Sequence, residues 1–473
     1  MAYVVGRVGI ASALNQAKLC SPMALSCSTA GNRYSTAPAA GKSRSGVKNI
    51  VLVEGVRTPF LLSGTKYNNL MPHDLQRMAF LALLRRTGVP KEAIEYIVSG
   101  SVIAEPKTCN VAREAALCAG FSDRTPCHTV TQACISSNQA ITSEHTLWNI
   151  LAKNLCVLID INILTRVNIT QAHRHEMNWT VRYFKPQLKI IFLLKAVEIQ
   201  RDAGCAQLPA VAEFTTGEVM GHSGDRLAAA FGVSRTEQDE FALRSHSLAD
   251  KATKEGLLSD LEPVTVPGDS AQVSADNGIR VSTMDQMAKL KPAFIKPHGT
   301  ITAANSSFLT DGASAALIMS EEKALAMGLK PKAYLRSFVY VAQDPKDQLL
   351  LGPAYATPAV LAREGLKMSD IDVFEYHEAF AGQILANLKA MDSDYFAQTY
   401  MGRTAKVGML PMEKLNTWGG SLSLGHPFAA TGVRLVTTVA NRLIKEDKQI
   451  GLTAACAAGG HGHAMIVERY PSK

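Results

Sequence analysis

Cys134, His426 and Cys456 are the residues of this 473-residue chain whose surroundings best suit acyl and proton transfer. Cys134 follows a β-like run, His128-Thr129-Val130-Thr131, and opens a run of small residues, Ile135-Ser136-Ser137-Asn138-Gln139-Ala140. A thiol placed there stands at a helix N-terminus, where the local field is expected to lower its pKa and leave it open for attack. His426 lies in the turn Gly425-His426-Pro427 and is placed to take the thiol proton. Cys456, in Ala454-Ala455-Cys456-Ala457-Ala458-Gly459-Gly460-His461-Gly462, is a second thiol able to exchange a proton with carbon.

With His377-Glu378-Ala379-Phe380 between them, these stretches stand in one order along the chain. In that order they resemble the thiolase family, whose signatures are a nucleophilic Cys near a helix start, an Asn- or His-Glu-Ala-Phe loop, a Gly-His-Pro loop and a C-terminal Cys before glycines. The resemblance covers residues 49–143 and 206–470. It implies an α/β enzyme of two duplicated halves in five layers, α-β-α-β-α, with an inserted loop domain. It also implies an acyltransferase that cleaves 3-ketoacyl-CoA with CoA, giving acetyl-CoA and a shortened acyl-CoA. Within the family the resemblance is to members that act on long-chain substrates in mitochondrial fatty acid β-oxidation. CoA is then a co-substrate, with no permanently bound cofactor and no metal. The implied partners are a hetero-oligomeric α subunit, a second copy in a thiolase-type homodimer core, and the matrix face of the inner membrane, held peripherally.

On that resemblance His426 deprotonates Cys134, the thiolate attacks the 3-keto carbon, and Cys456 protonates the departing acetyl-CoA carbon. The thiol of a second CoA then releases the acyl group from Cys134, with Cys456 as base, which makes the kinetics ping-pong. One oxyanion hole uses His426 and a water held by His377; the other uses the backbone amides of Cys134 and Ala458. Many thiolases carry Asn at position 377 and Gly at 458, so His377 and Ala458 are departures. Glu378 and Phe380 are expected to shape their loop. Ser307, Met220 and Arg244, with His222 beside Met220, are the expected CoA contacts. Two other readings stay open. A ketoacyl-synthase-like condensing enzyme would pair its Cys with two His, and a catalytically impaired assembly subunit would keep the fold without the chemistry.

The elements that must position these residues repeat along the chain. Ile301–Ser307 with Ala315–Met319 parallels Leu452–Cys456 with Ala464–Val467, each read as a strand, a small-residue turn and a returning strand. Val89–Val98 parallels Leu366–Phe374, and β-rich runs alternate with amphipathic stretches such as Asp74–Thr87 and Thr357–Glu364. These pairs place an N-terminal half at 49–143 and 298–325 and a C-terminal half at 332–470. The loop domain is read at 206–297, where Ser234-Arg235-Thr236-Glu237 is a capping box that opens a helix.

Composition fits a large enzyme. At 47% hydrophobic and 19% charged, the chain can bury a substantial core. Nine cysteines include no C-x-x-C pair, against a zinc ribbon or thioredoxin-type site. No apolar run approaches the roughly 18 residues of a membrane span. A net charge of +8 suits an anionic ligand, and 6% aromatics give no stacking platform for nucleic acid. The first 53 residues hold six Lys or Arg, seven Ser and no Asp or Glu. That is the composition of a mitochondrial transit peptide, expected over 1–34 with the mature start near Ser35.

Residues 144–205 read differently. From Glu144 to Ala203 sixty residues contain no glycine, where the usual frequency of about 7% would give roughly four. The resemblance implies that the Cys134 helix should continue here, then a buried strand and a Gly-Gly-x-Glu-x-Met turn, none of which is legible. The segment is expected to be intervening sequence rather than native thiolase sequence. His173-Arg174-His175-Glu176 puts its two His two residues apart, which argues against a metal site.

Overall fold

The duplication is visible in matching local geometry. Strand β1 (Ile50–Arg57) and the two-residue β2 (Leu61–Leu62) lead to helix α1 (Pro72–Thr87), which starts with Pro in its first turn and ends at Gly88 with φ 67°. A 3-10 turn at Lys91–Ala93 then feeds β3 (Ile97–Gly100). In the second half β9 (Ala333–Ala342) leads to a helix over Gly352–Glu364, again with Pro in the first turn and Gly365 at φ 67° after its end. A 3-10 turn at Met368–Asp370 then feeds β10 (Val373–Tyr376). Glycine is needed at both caps because a Cβ disfavours the left-handed region. The computed structural model describes residues 49–102, 108, 110–151, 161–162, 212–213, 215–269 and 271–471. The leader and the His173–Glu176 pattern lie outside them.

The first half continues through α2 (Val111–Cys118), β4 (Cys127–Val130), α3 (Ser136–Leu151), β5 (Ile161–Asn162) and, after the loop domain, β8 (Thr310–Ser320). The loop domain contains α4 (Met220–Ala230), α5 (Arg235–Lys254), the pair β6 (Val264–Thr265) and β7 (Gln272–Val273), and α6 (Met284–Ala288). Ser234 caps α5 as expected, its Oγ accepting from the Glu237 amide at 3.2 Å while Glu237 accepts from the Ser234 amide at 2.7 Å. Such a cap contributes about 1 kcal/mol. After α7 (Glu321–Ala326) and β9, the second half runs through α8 (Gly352–Glu364), β10, α9 (Ala381–Met391), α10 (Asp394–Tyr400), α11 (Ser421–Leu424), α12 (Thr431–Lys445), β11 (Ile450–Ala457) and β12 (His461–Arg469).

The layers follow from what packs on what. α1 lies against β1 and β8, and α8 lies against β9, β11 and β12. Between them α12 touches β10, β11 and β12 as well as β1, β8 and α3. Its residues from Thr431 to Leu443 are all buried, as a helix sandwiched between two sheets requires. The sheets join where β1 pairs antiparallel with β9, giving one curled sheet in the order β10-β11-β12-β9-β1-β8-β2.

Two expectations are corrected. Ile301–Ser307 is not a strand: the Asn305 side chain takes the Thr302 amide at 2.7 Å and the Thr302 hydroxyl takes the Ala304 amide at 3.3 Å. Local side-chain acceptors thus replace the ladder, and the strand begins at Thr310. His461 and His463 stand in β12 rather than in the glycine loop. The anomalous segment is also partly structured, since α3 runs to Leu151. Among the described residues, β11 joins β10 to β12 in the second half, while in the first β5 pairs with β8 and β3–β4 forms a separate sheet.

Candidate active site

Cys134 sits on a short, strained elbow. β4 ends at Val130, and Ala133 takes φ 46° before a 3-10 turn, Ala133–Ile135, passes into α3. A left-handed non-glycine residue costs on the order of 1–3 kcal/mol. Ser136 holds it there: its Oγ accepts from the Gln132 amide at 2.9 Å and donates to the Ala133 carbonyl at 2.7 Å. The thiol is half-buried. Burial pushes it up to about 12, against the pull of the Ala458 and Cys134 amides, and the Glu213 carboxylate pushes it further. The expectation of a depressed thiol is therefore reversed, because desolvation outweighs the amides at the helix start.

His426 lies between α11 and α12. Its Nδ1 is 2.6 Å from the Thr431 hydroxyl, and that hydroxyl donates to the Pro427 carbonyl at 2.8 Å. A hydroxyl has one proton to give, so the Thr431 oxygen accepts from Nδ1–H and the Nε2 lone pair is left free. Nε2 is buried with no partner in the protein. Burial first, then His377 and Arg434, hold the ring well below its ordinary pKa. A neutral ring with a free Nε2 can accept the Cys134 proton.

His377 follows β10, its amide donating to Ala454 at 2.9 Å. The ring centroid is 3.9 Å from that of His426, and Nδ1 is 3.6 Å from Cys456 Sγ. Burial and Arg434 lower this ring to about 3, against the Cys456 backbone. Cys456 lies buried in β11, and burial and the neighbouring Cys134 thiol raise its pKa. The second thiol is thus held protonated, as an acid must be. The Ala458 amide reaches the Cys134 thiol, which fits the expected hole.

Glu378 shapes its loop, accepting from Ser245 Oγ at 2.8 Å, Asn416 Nδ2 at 2.6 Å and the Leu422 amide at 3.2 Å. Phe380 is buried beside it and meets Phe294 edge-on at 5.9 Å. Ser307 stitches the same loop, its amide and hydroxyl both donating to the Ala379 carbonyl at 2.9 and 3.0 Å. Met220 starts α4 and is buried, while His222 packs edge-on against Phe294. Arg244, an expected CoA contact, donates from its guanidinium to the Met412 and Leu415 carbonyls at 2.6 and 2.7 Å.

Arg434 is the site residue that the motifs missed. Buried in α12, it meets Glu375 at 3.1 Å and Ser421 Oγ at 3.0 Å, and its charge depresses both imidazoles. The available signal was an arginine directly after the uncharged small-residue run Ala429-Ala430-Thr431-Gly432-Val433. Gly432 closes the centre. A Cβ there would lie 2.3 Å from Asn138 Oδ1 and 2.5 Å from Ser137 Oγ, so only glycine lets α12 meet α3.

Residues 50–322 match the family described as "Thiolase, N-terminal domain", and residues 329–469 match "Thiolase, C-terminal domain". The chain is 64% identical over 431 residues to the Bos taurus "Trifunctional enzyme subunit beta, mitochondrial", covering 91% of this chain and 90% of that protein. It is 55% identical over 439 residues to the Caenorhabditis elegans "Probable 3-ketoacyl-CoA thiolase", covering 92% and 98%. A solved Bacillus anthracis acetyl-CoA acetyltransferase superposes with a TM-score of 0.74 at 28% identity, over 90% of this chain and 100% of that one. Two thiols and two neutral imidazoles meet at the contact of α3, β10, β11 and α12, and with these matches the chain belongs to the thiolase family.

Proposed function

We propose that the chain cleaves long-chain 3-ketoacyl-CoA with CoA, yielding acetyl-CoA and an acyl-CoA two carbons shorter. The observation that carries this reading is the pairing of Cys134, faced by the Ala458 amide, with a second, buried and protonated thiol, Cys456. A ketoacyl synthase has no use for that second acid. His426 Nε2 takes the Cys134 proton as Sγ attacks the 3-keto carbon. Burial raises the thiol's pKa and lowers the imidazole's, which favours the neutral pair at rest, so the proton moves as the sulfur–carbon bond forms.

The oxyanion collapses, the bond between the second and third carbons breaks, and the Cys456 proton goes to the leaving carbon. The Cys456 thiolate then removes the proton of a second CoA thiol, which attacks the S-acyl group against the amides of Cys134 and Ala458. The departing Cys134 thiolate recovers its proton from His426, and the cycle closes. Ser307 and Met220 meet the pantetheine arm.

The relative's printed name supports a mitochondrial location and an α subunit, that of the trifunctional protein, as hetero-oligomeric partner around a homodimeric core. The proposed site of action is the matrix face of the inner membrane, held peripherally. In support, no described helix is long and apolar enough to cross a membrane, and Tyr395, Tyr400 and Met409 expose large apolar surface. The alternative is an assembly subunit with impaired chemistry. Acetyl-CoA release from a long-chain 3-ketoacyl-CoA and CoA, assayed on the purified chain with its α subunit, tests the choice. Turnover above that of the Cys134→Ala chain supports the enzyme, and turnover equal to it supports the assembly subunit.

A further inference from the structure

The glycine loop after Cys456 presents two successive amides, and they face different partners. The Ala458 amide reaches the Cys134 thiol. The next one, on Gly459, donates to Glu213 Oε1 at 2.5 Å. Gly459 and Gly460 both have positive φ, 86° and 68°, so the turn between β11 and β12 is built from residues with little conformational preference of their own. Something outside the turn has to fix which way its peptides point.

Glu213 is held to do so by a tight turn. Its amide donates to the Glu218 carbonyl and its carbonyl accepts from the Gly217 amide, both at 2.8 Å, and Ala212 bridges antiparallel to Val219. Val219 is the N-cap of α4. Glu218 in turn pairs with Arg226 of α4 at 3.1 Å, and Arg226 reaches Asp347 beyond β9. The carboxylate thus belongs to the loop domain while its hydrogen bond ends in the catalytic half.

We propose that Glu213 is a positioning residue for acyl transfer: by holding the Gly459 amide it orients the preceding peptide so that the Ala458 amide faces the acyl group on Cys134. The inference rests on the thiolase reading and goes beyond it, because it assigns the hole's geometry to a residue of the loop domain. The arrangement has a cost. A carboxylate near the nucleophile opposes formation of the Cys134 thiolate. Cys456 is the titratable neighbour of Cys134 from β11, and it stays neutral there. A group that only raised the thiol's pKa would slow the enzyme, so the gain lies in orientation. Glutamine preserves the acceptor without the charge, and alanine removes both.

The test compares Glu213→Gln and Glu213→Ala in the full chain, reading turnover and, without substrate, the alkylation of Cys134 by iodoacetamide followed by mass spectrometry. Glu213→Gln should keep kcat within about threefold and alkylate about twofold faster or more at fixed pH, because the thiolate fraction rises. Glu213→Ala should lose about ten- to a hundredfold in kcat with little change in KM, as a displaced oxyanion donor does. Its alkylation should gain less than that of the Gln variant, since the Ala458 amide no longer favours the thiolate. Three results each overturn the proposal: an Ala variant with the parent's kcat, a Gln variant as impaired as the Ala variant, or an alkylation rate unchanged in the Gln variant. Alkylation needs no turnover, so it tests Glu213 separately from the 3-ketoacyl-CoA reaction itself.

Discussion

The Thr431 hydroxyl decides which nitrogen of His426 keeps a free lone pair, and a base with its proton on the wrong nitrogen cannot work. Thr431→Val keeps the shape and removes the acceptor for Nδ1–H. It should lower kcat by about ten- to a hundredfold with KM nearly unchanged, since the wrong tautomer is costly in catalysis; steady-state kinetics at pH 8 would show it, and an unaltered kcat would refute the tautomer. Cys134, His426, Cys456 and His377 were legible because each sits in a short motif whose chemistry demands that residue type. Thr431 and Arg434 were not, since they act through contacts that close only when α12 packs between the sheets. The thiol's pKa was misjudged for the same reason: the helix start is written in the sequence, whereas the depth of burial is not.

At the scale of the element, the contact between α3 and α12 sets the helix that follows the nucleophile against the helix that follows the base. Gly432→Ala forces a Cβ into Asn138 and Ser137. The expected loss is about 1–3 kcal/mol of stability, with kcat falling more than KM rises; a melting curve and kinetics on one preparation check both. The 3-10 turns after Gly88 and Gly365 were legible as a repeat, because capping and turn residues act locally. The false repeat at Ile301–Ser307 arose because its composition suits a strand, while Asn305 and Thr302 divert the amides.

Over the whole molecule, two features govern folding. Buried imidazoles must stay neutral: His377 and His463 are lowered by burial to about 3, His246 to about 4, and His426 further below its ordinary value. The unfolded chain binds protons at these sites from about pH 6.5 downward and the folded chain does not, so acid favours unfolding. Stability should be fully present above about pH 6.5 and fall as pH drops toward 3, by up to about 1.4 kcal/mol per pH unit for each such His. Denaturant midpoints at pH 7.5, 6 and 5 would test it; a flat profile contradicts the buried neutral rings. The other feature is the segment 144–205, which we propose is not native thiolase sequence. The support lies in the sequence, where sixty residues from Glu144 to Ala203 pass without a glycine. Limited proteolysis should cut first within this segment, and transcript sequencing across it should show a message that omits it. A continuous message and a protease-resistant product would contradict the proposal.

The most direct test of the central claim is to find the acyl group. The chain and its Cys456→Ala variant are incubated with a long-chain acyl-CoA, then digested and analysed by tandem mass spectrometry. The account predicts an S-acyl adduct on Cys134 in both, discharged by added CoA quickly in the parent and slowly in the variant, and absent from Cys134→Ala. An adduct on another residue with Cys134 unmodified would contradict it.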